Sequence, residues 1–213
     1  MTFEELTWLI YGRRPLMQAN PLGALQKAES ETKTAKTRSG IKQATVGFDV
    51  ARALLYEVPG ENGEPARFGH PSQAFWSVMV AACPGVTIGG KAASGFFPRC
   101  VEMVEEYCTL YDPESLTDGK PRPLTEKQWL VDTRMVWNPK VGNVLVSRPK
   151  WKEWATLLKL LIDRDRIPAQ FTDVVTYILN EAGQMGIGCG SLRKKAAKWS
   201  GIAYGKFIAV LKE

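Results

Sequence analysis

Apolar and polar positions alternate from Phe3 to Tyr11, with Leu6, Trp8 and Ile10 on one side, which predicts an opening strand ended by Gly12-Arg-Arg-Pro15. Leu54 to Val58 and Ala66 to Phe68 flank Pro59-Gly-Glu-Asn-Gly63, the composition of a hairpin turn. Helical spacing follows in Phe75, Trp76, Met79 and Val80, with Ser72 as the expected cap and Pro84-Gly85 as the stop. Thr87 to Gly95 reads as a glycine loop carrying Lys91. From Arg99 to Leu110 the pattern admits two periods. Val101, Met103, Glu105 and Tyr107 alternate as in a strand, while Val101, Val104 and Cys108 fit a helix; the β-rich surroundings favour the strand.

Asp112 to Thr125 is rich in turn formers, and Val131 to Ser147 reads as a hairpin around Asn138-Pro-Lys-Val-Gly142. Trp154 to Ile162 is apolar enough for a buried strand. Pro168 opens the best helix, striped by Phe171, Val174, Val175, Ile178, Leu179 and Ala182, with Gly183 as its expected C-cap. A strand from Tyr204 to Leu211 closes the chain. Without insertions at 27–45 and 110–150, the order is β-α-β-β-α-β, an α+β fold of the ferredoxin-like arrangement in one domain over residues 1–213.

Composition narrows the class. With 45% hydrophobic and 23% charged residues, the 213-residue chain has enough apolar content for a buried core. No run approaches the roughly 20 apolar residues of a membrane span, and the acidic start Met1-Thr-Phe-Glu-Glu is unlike a signal peptide, so a cytoplasmic location is expected. Cys83, Cys100, Cys108 and Cys189 lack close-set pairs and a nearby histidine, which argues against structural zinc and for reduced thiols. Cys189, set among glycines, is expected to be exposed.

Charge is concentrated at one end. From Gly183 to Glu213 six Lys or Arg face one acid, +5 of the chain's net +6. Gly186, Gly188 and Gly190 precede Arg193, Lys194, Lys195 and Lys198, a loop and basic run suited to a polyanion. Trp199 lies beside that run, and Trp137 lies in the hairpin with Arg134, Lys140 and Arg148, where indoles beside cations suit base stacking. Core anchoring of both indoles is the competing reading. Residues 27–42 hold five Lys or Arg against Glu29 and Glu31 and read either as a surface loop or as a basic arm.

No nucleophile, base and orienter can be assembled, so no catalysis and no cofactor are expected. The one histidine, His70, sits between glycine and proline and reads as a turn residue. Asp112, Glu114 and Asp118 read as solvated loop acids, and Asp163 and Asp165 as ion-pair partners of Arg164 and Arg166. The glycine cluster follows a helix rather than opening one, unlike a dinucleotide fingerprint.

The run Val131-Asp-Thr-Arg134, with Arg148-Pro149, Trp154, Glu181-Ala-Gly-Gln-Met-Gly-Ile-Gly188 and Tyr204-Gly-Lys-Phe207, resembles a group of tailed-phage proteins. Arg14-Pro-Leu16 and the Leu55-Tyr56 hairpin extend that likeness. The ending also resembles the glycine-rich loop of the RAMP superfamily, the ferredoxin-like RNA-binding subunits of CRISPR effector complexes. That resemblance implies a RAMP-type, RRM-like core with inserted loops and a β-hairpin. It also implies single-stranded RNA or DNA as partner, with head-to-tail self-association along the strand. A second expectation is a protein module that mimics a RAMP subunit and engages a CRISPR complex. One departure from the superfamily is plain: Cys189 to Ser200 separate the glycine pair from Gly201.

Overall fold

The computed structural model describes residues 2–22, 47–60, 64–138, 142–189 and 204–212. In chain order the first part contains β1 (Phe3–Gly12), β2 (Leu16–Met17), α1 (Phe48–Ala53), β3 (Tyr56–Val58), β4 (Arg67–Pro71) and α2 (Ser72–Ala82). Then come β5 (Thr87–Ile88), β6 (Lys91–Ala92), α3 (Ala93–Phe96), β7 (Val101–Met103), β8 (Tyr107–Tyr111) and α4 (Pro113–Thr117). The last part holds β9 (Trp129–Asn138), β10 (Gly142–Trp151), β11 (Ala155–Asp163), α5 (Thr172–Met185) and β12 (Phe207–Leu211).

The architecture is α+β. A seven-stranded sheet runs β12-β1-β11-β8-β4-β3, with β7 also on β11, and every pairing is antiparallel. The long hairpin β9–β10 takes β2 as a third strand and forms a separate sheet.

Alternation explains the central strands. Trp8 and Ile10 of β1, Leu158, Leu160 and Ile162 of β11, and Phe207 and Ala209 of β12 are buried on one face. That face carries α2 and α5, which pack on each other and contribute Phe75, Val78 and Met79 and Val175, Ile178, Leu179 and Ala182. Rings interlock at the centre: Phe207 meets Phe75 at 5.5 Å and Trp154 at 6.5 Å between centroids, both edge to face.

Several sequence expectations shift. Ser72 is the first residue of α2 rather than its cap, and its hydroxyl donates to Glu106 O. Thr87 to Gly95 folds into the β5–β6 hairpin and the start of α3 instead of an open loop. The strand reading of 99–110 holds, split into β7 and β8, while 112–125 contains the short helix α4, capped by Asp112 accepting from Glu114 N. Gly183 does not end α5. The helix continues to Met185, and Gly183 lies where a Cβ would come within 2.2 Å of Phe207 O, so it lets helix and strand touch. Residues 27–45, the expected insertion, lie outside the described residues.

Two side-chain amides carry backbone pairing beyond the strands. Asn180 of α5 accepts from Ala209 N and donates to Ala209 O, both on the side of β12 away from β1. Gln18, fully buried, joins the two sheets. Its Nε2 donates to Gly69 O (2.7 Å) and reaches His70 Nδ1 (3.2 Å), its Oε1 accepts from Trp151 Nε1 (3.3 Å), and its backbone N–H donates to Pro149 O. Gln18→Leu fills the volume but leaves three buried polar partners unmatched, at about 1–3 kcal/mol for each that stays dry. We expect a loss of about 3 kcal/mol or more in urea-unfolding stability; a change under about 1 kcal/mol would show that the amide does not hold the sheets together.

Candidate functional site

Three backbone runs meet at the C-terminal end of α5: residues 13–19, residues 186–189 and residues 204–206. Gly186 (φ 75°), Gly188 (φ 74°) and Gly205 (φ 63°) occupy the left-handed region. A Cβ on Gly186 would lie 2.3 Å from Tyr204 O, and one on Gly188 would lie 2.4 Å from Met17 O. Glycine is therefore required for contact between these runs. Their amides are already engaged. Gly186 N donates to Ala182 O, Ile187 N to Gly205 O, Cys189 N to Met17 O and Gly205 N to Pro15 O. This changes the picture of an open amide cradle, because three of the four amides from Gly186 to Cys189 bond within the protein.

The side chains around this junction are cationic. Arg13 N and Arg14 N both donate to Lys206 O, which lays two exposed arginines beside Lys206. Among the described residues none of these three cations has an acidic partner. One residue pair away, the Arg134 guanidinium lies 4.9 Å from the Tyr204 ring centroid. Register places Leu130, Asp132 and Arg134 of β9 on the same hairpin face as Lys150, Arg148 and Val146 of β10, with Met17 alongside. Asp132 is buried and accepts from Arg134 Nη2 and Lys150 Nζ, each at 2.7 Å. Burial pushes its carboxyl up, but the two cations outweigh that and hold it below its usual value. One carboxylate thus orients two cations on a face where Arg148 adds a third.

The expected residues divide into three groups. Gly186, Gly188, Arg134 and Arg148 converge at the junction. Lys91 does not: a Cβ on Gly89 of its hairpin would lie 3.7 Å from Phe171, just before α5, while the junction lies at the far end of that 14-residue helix. At 1.5 Å per residue the separation is about 20 Å. Gly190, Arg193, Lys194, Lys195, Lys198, Trp199 and Lys140 lie outside the described residues, as does the side chain of Trp137.

Sequence reasoning misses Arg13, Arg14, Lys206, Asp132 and Tyr204 as site residues, while Lys150 closes the Arg134 to Lys150 hairpin that it expects to hold phosphates. The Arg-Arg pair before Pro15 reads as a strand stop, and nothing local signals that residue 206 returns beside it. His70 is a correction: it lies on β4, 3% exposed, not in a turn. Cys189 is also corrected, being buried with Met17 and Tyr204. Cys83, Cys100 and Cys108 are buried free thiols as well.

Among the described residues no group of three His, Cys, Asp or Glu is arranged to hold a metal ion, and no helix is long and apolar enough to cross a membrane. No protein-family model matches the chain, and no curated protein is significantly similar to it.

Burial drives the His70 imidazole down to about 3, so it is neutral at ordinary pH. As pH falls below about 6.5, the unfolded chain takes up a proton that the folded protein refuses until near 3. Stability therefore falls with falling pH across that window, by about 1.4 kcal/mol per unit once the unfolded imidazole is charged. Urea unfolding between pH 7 and 4.5 should show this slope, and His70→Phe should flatten it. Parallel profiles for the two proteins would remove His70 as the source.

Proposed function

We propose that the protein is a non-enzymatic binder of single-stranded RNA or DNA, built on a ferredoxin-like, RAMP-type core. The strand order supports the core. β1 and β11 lie in the centre, β8 and β12 flank them, and α2 and α5 cover one face, which is the order of a split β-α-β-β-α-β unit. In that reading α1, β3, β4 and the β9–β10 hairpin are insertions.

The observation that carries the binding function is the convergence of Arg13, Arg14, Lys206, Arg134, Arg148 and Lys150, from three distant parts of the sequence, on one junction that holds, among the described residues, the single buried acid Asp132. Cations packed together repel one another, and a phosphate backbone relieves that repulsion while releasing its counterions. Arginine forks also match phosphate oxygens in pairs. Tyr204 is buried beneath the strip and holds the Arg134 guanidinium over its ring. Cys189 and Tyr204, the described residues that flank the stretch holding Arg193 to Lys198 in sequence, both lie at this junction.

Binding of labelled single strands should weaken steeply with salt. The double reversal Arg13→Glu with Arg14→Glu should lower affinity by about tenfold or more and reduce the log–log salt slope by about 0.7 for each phosphate no longer neutralised. Lys91→Glu, at the other end of α5, should leave both unchanged. Reversal at Lys194, Lys195 and Lys198 tests the basic run by the same readout. Unaltered binding by the Arg13/Arg14 variant would end the assignment of this junction, and equal effects from Lys91→Glu would make the attraction nonspecific.

A further inference from the structure

One residue of the cationic strip has the wrong sign for its surroundings. Asp132 lies in the middle of the β9–β10 face, directly opposite Arg148 in the register. Lys150 is its diagonal neighbour across the strand pair, and Arg134 stands two residues along its own strand. A carboxylate repels the phosphates that this face would meet, so its presence there needs a reason. Stability is a weak one. Asp132 is 7% exposed, and the hydration it loses offsets much of what its ion pairs return. Arg134 and Lys150 keep 36% and 24% of their side-chain surface, so water would still reach both cations without the acid.

The contacts point to another role. Arg134 donates to the carboxylate through both Nε and Nη2, and Lys150 Nζ shares Oδ2 with Arg134 Nη2, each at 2.7 Å. The two nitrogens therefore stand at most twice that distance apart, close enough to contact two oxygens of one phosphate. Beneath the guanidinium lies the buried Tyr204 ring, its centroid 4.9 Å from Cζ. Arg134 is thus fixed by an acid at one edge and an aromatic face below. Lys150 Nζ uses one N–H on Asp132 and Arg134 uses two, so each cation retains further donors. Long cationic side chains have much rotamer freedom to lose, and a strand that met them loose would have to order them on binding.

We infer that Asp132 is a positioning residue, which holds Arg134 and Lys150 side by side as a seat for one phosphate of the bound strand. Arg148, which has no acidic partner among the described residues, faces the same carboxylate from the opposite strand. This rests on the single-strand reading above. A strip acting only as a diffuse positive field responds to loss of the acid in the opposite direction.

Asp132→Asn keeps the side-chain volume and raises the net charge by one. Diffuse attraction would then tighten binding of labelled oligouridylate or oligothymidylate. Loss of the seat should instead weaken it by about threefold or more. Asp132→Glu, which restores the carboxylate, should recover most of that loss. In a protein already carrying Arg134→Met and Lys150→Met, Asp132→Asn should no longer weaken binding, because nothing is left to position. The Arg134 Nε–H signal in a proton–nitrogen spectrum, identified by its absence from Arg134→Lys, reports the orientation without any strand. It should be sharp and slow to exchange in the full-length protein and broadened in Asp132→Asn, with urea unfolding confirming that the variant is folded. An Arg134 Nε–H in fast exchange in the unaltered protein would overturn the inference whether or not the variants fold. Equal or tighter binding by Asp132→Asn would overturn it too, as would an equal loss in the Arg134/Lys150 background; both results leave the proposed function standing. Absence of strand binding by the unaltered protein would end that function and this seat together.

Discussion

The amide of Gln18 is the constraint on which the arrangement turns. One uncharged side chain, with no exposure to water, bonds β4 through Gly69 and His70 and the hairpin sheet through Trp151. Buried polar groups tolerate few alternative geometries, since any partner deprived of its bond is left dry. Gln18 therefore fixes more than a distance. It sets where residues 13–19 run between the two sheets, which in turn presents Pro15 O and Met17 O to Gly205 and Cys189. It also decides which nitrogen of His70 carries a proton. The course of residues 13–19, and with it the placement of Arg13 and Arg14, depends on that single amide.

The glycines serve this arrangement in a way their spacing does not announce. They bring main chains from three remote segments to separations that a methyl group would forbid. Flexible glycine loops are commonly read as phosphate cradles, yet here most of the loop amides are turned inward. What the close approach achieves is lateral: it draws Arg13, Arg14 and Lys206 onto one ridge and sets Tyr204 under Arg134. The electrostatic feature is thus made by side chains, with the glycines determining how densely they gather.

Periodicity in the sequence is enough for β1, the two hairpins, β11 and α5, because each is amphipathic over its own length and its burial follows from local alternation or a helical stripe. The site is legible only in part. Arg134, Arg148, Gly186 and Gly188 stand out through charge and composition, and they do meet. Gln18 and His70 do not stand out, since their significance lies in bonds across 52 and 133 residues that no local period encodes. A glutamine inside Pro15-Leu-Met-Gln-Ala19 is the available signal: a polar residue within an otherwise apolar run needs partners if the run is buried. Gly-His-Pro around His70 misleads in the opposite direction, because turn-forming neighbours conceal a strand residue.

Asn180 gives the molecule a boundary. Sheets extend by matching an unpaired N–H and C=O on an edge strand to those of a newcomer. At the middle of β12 both groups of Ala209 are already matched by a side chain from the protein's own helix. A strand approaching this edge would have to displace the Asn180 amide before its ladder could pass Ala209. The helix thus closes, at its own cost of one side chain, the point at which the sheet could most directly be extended.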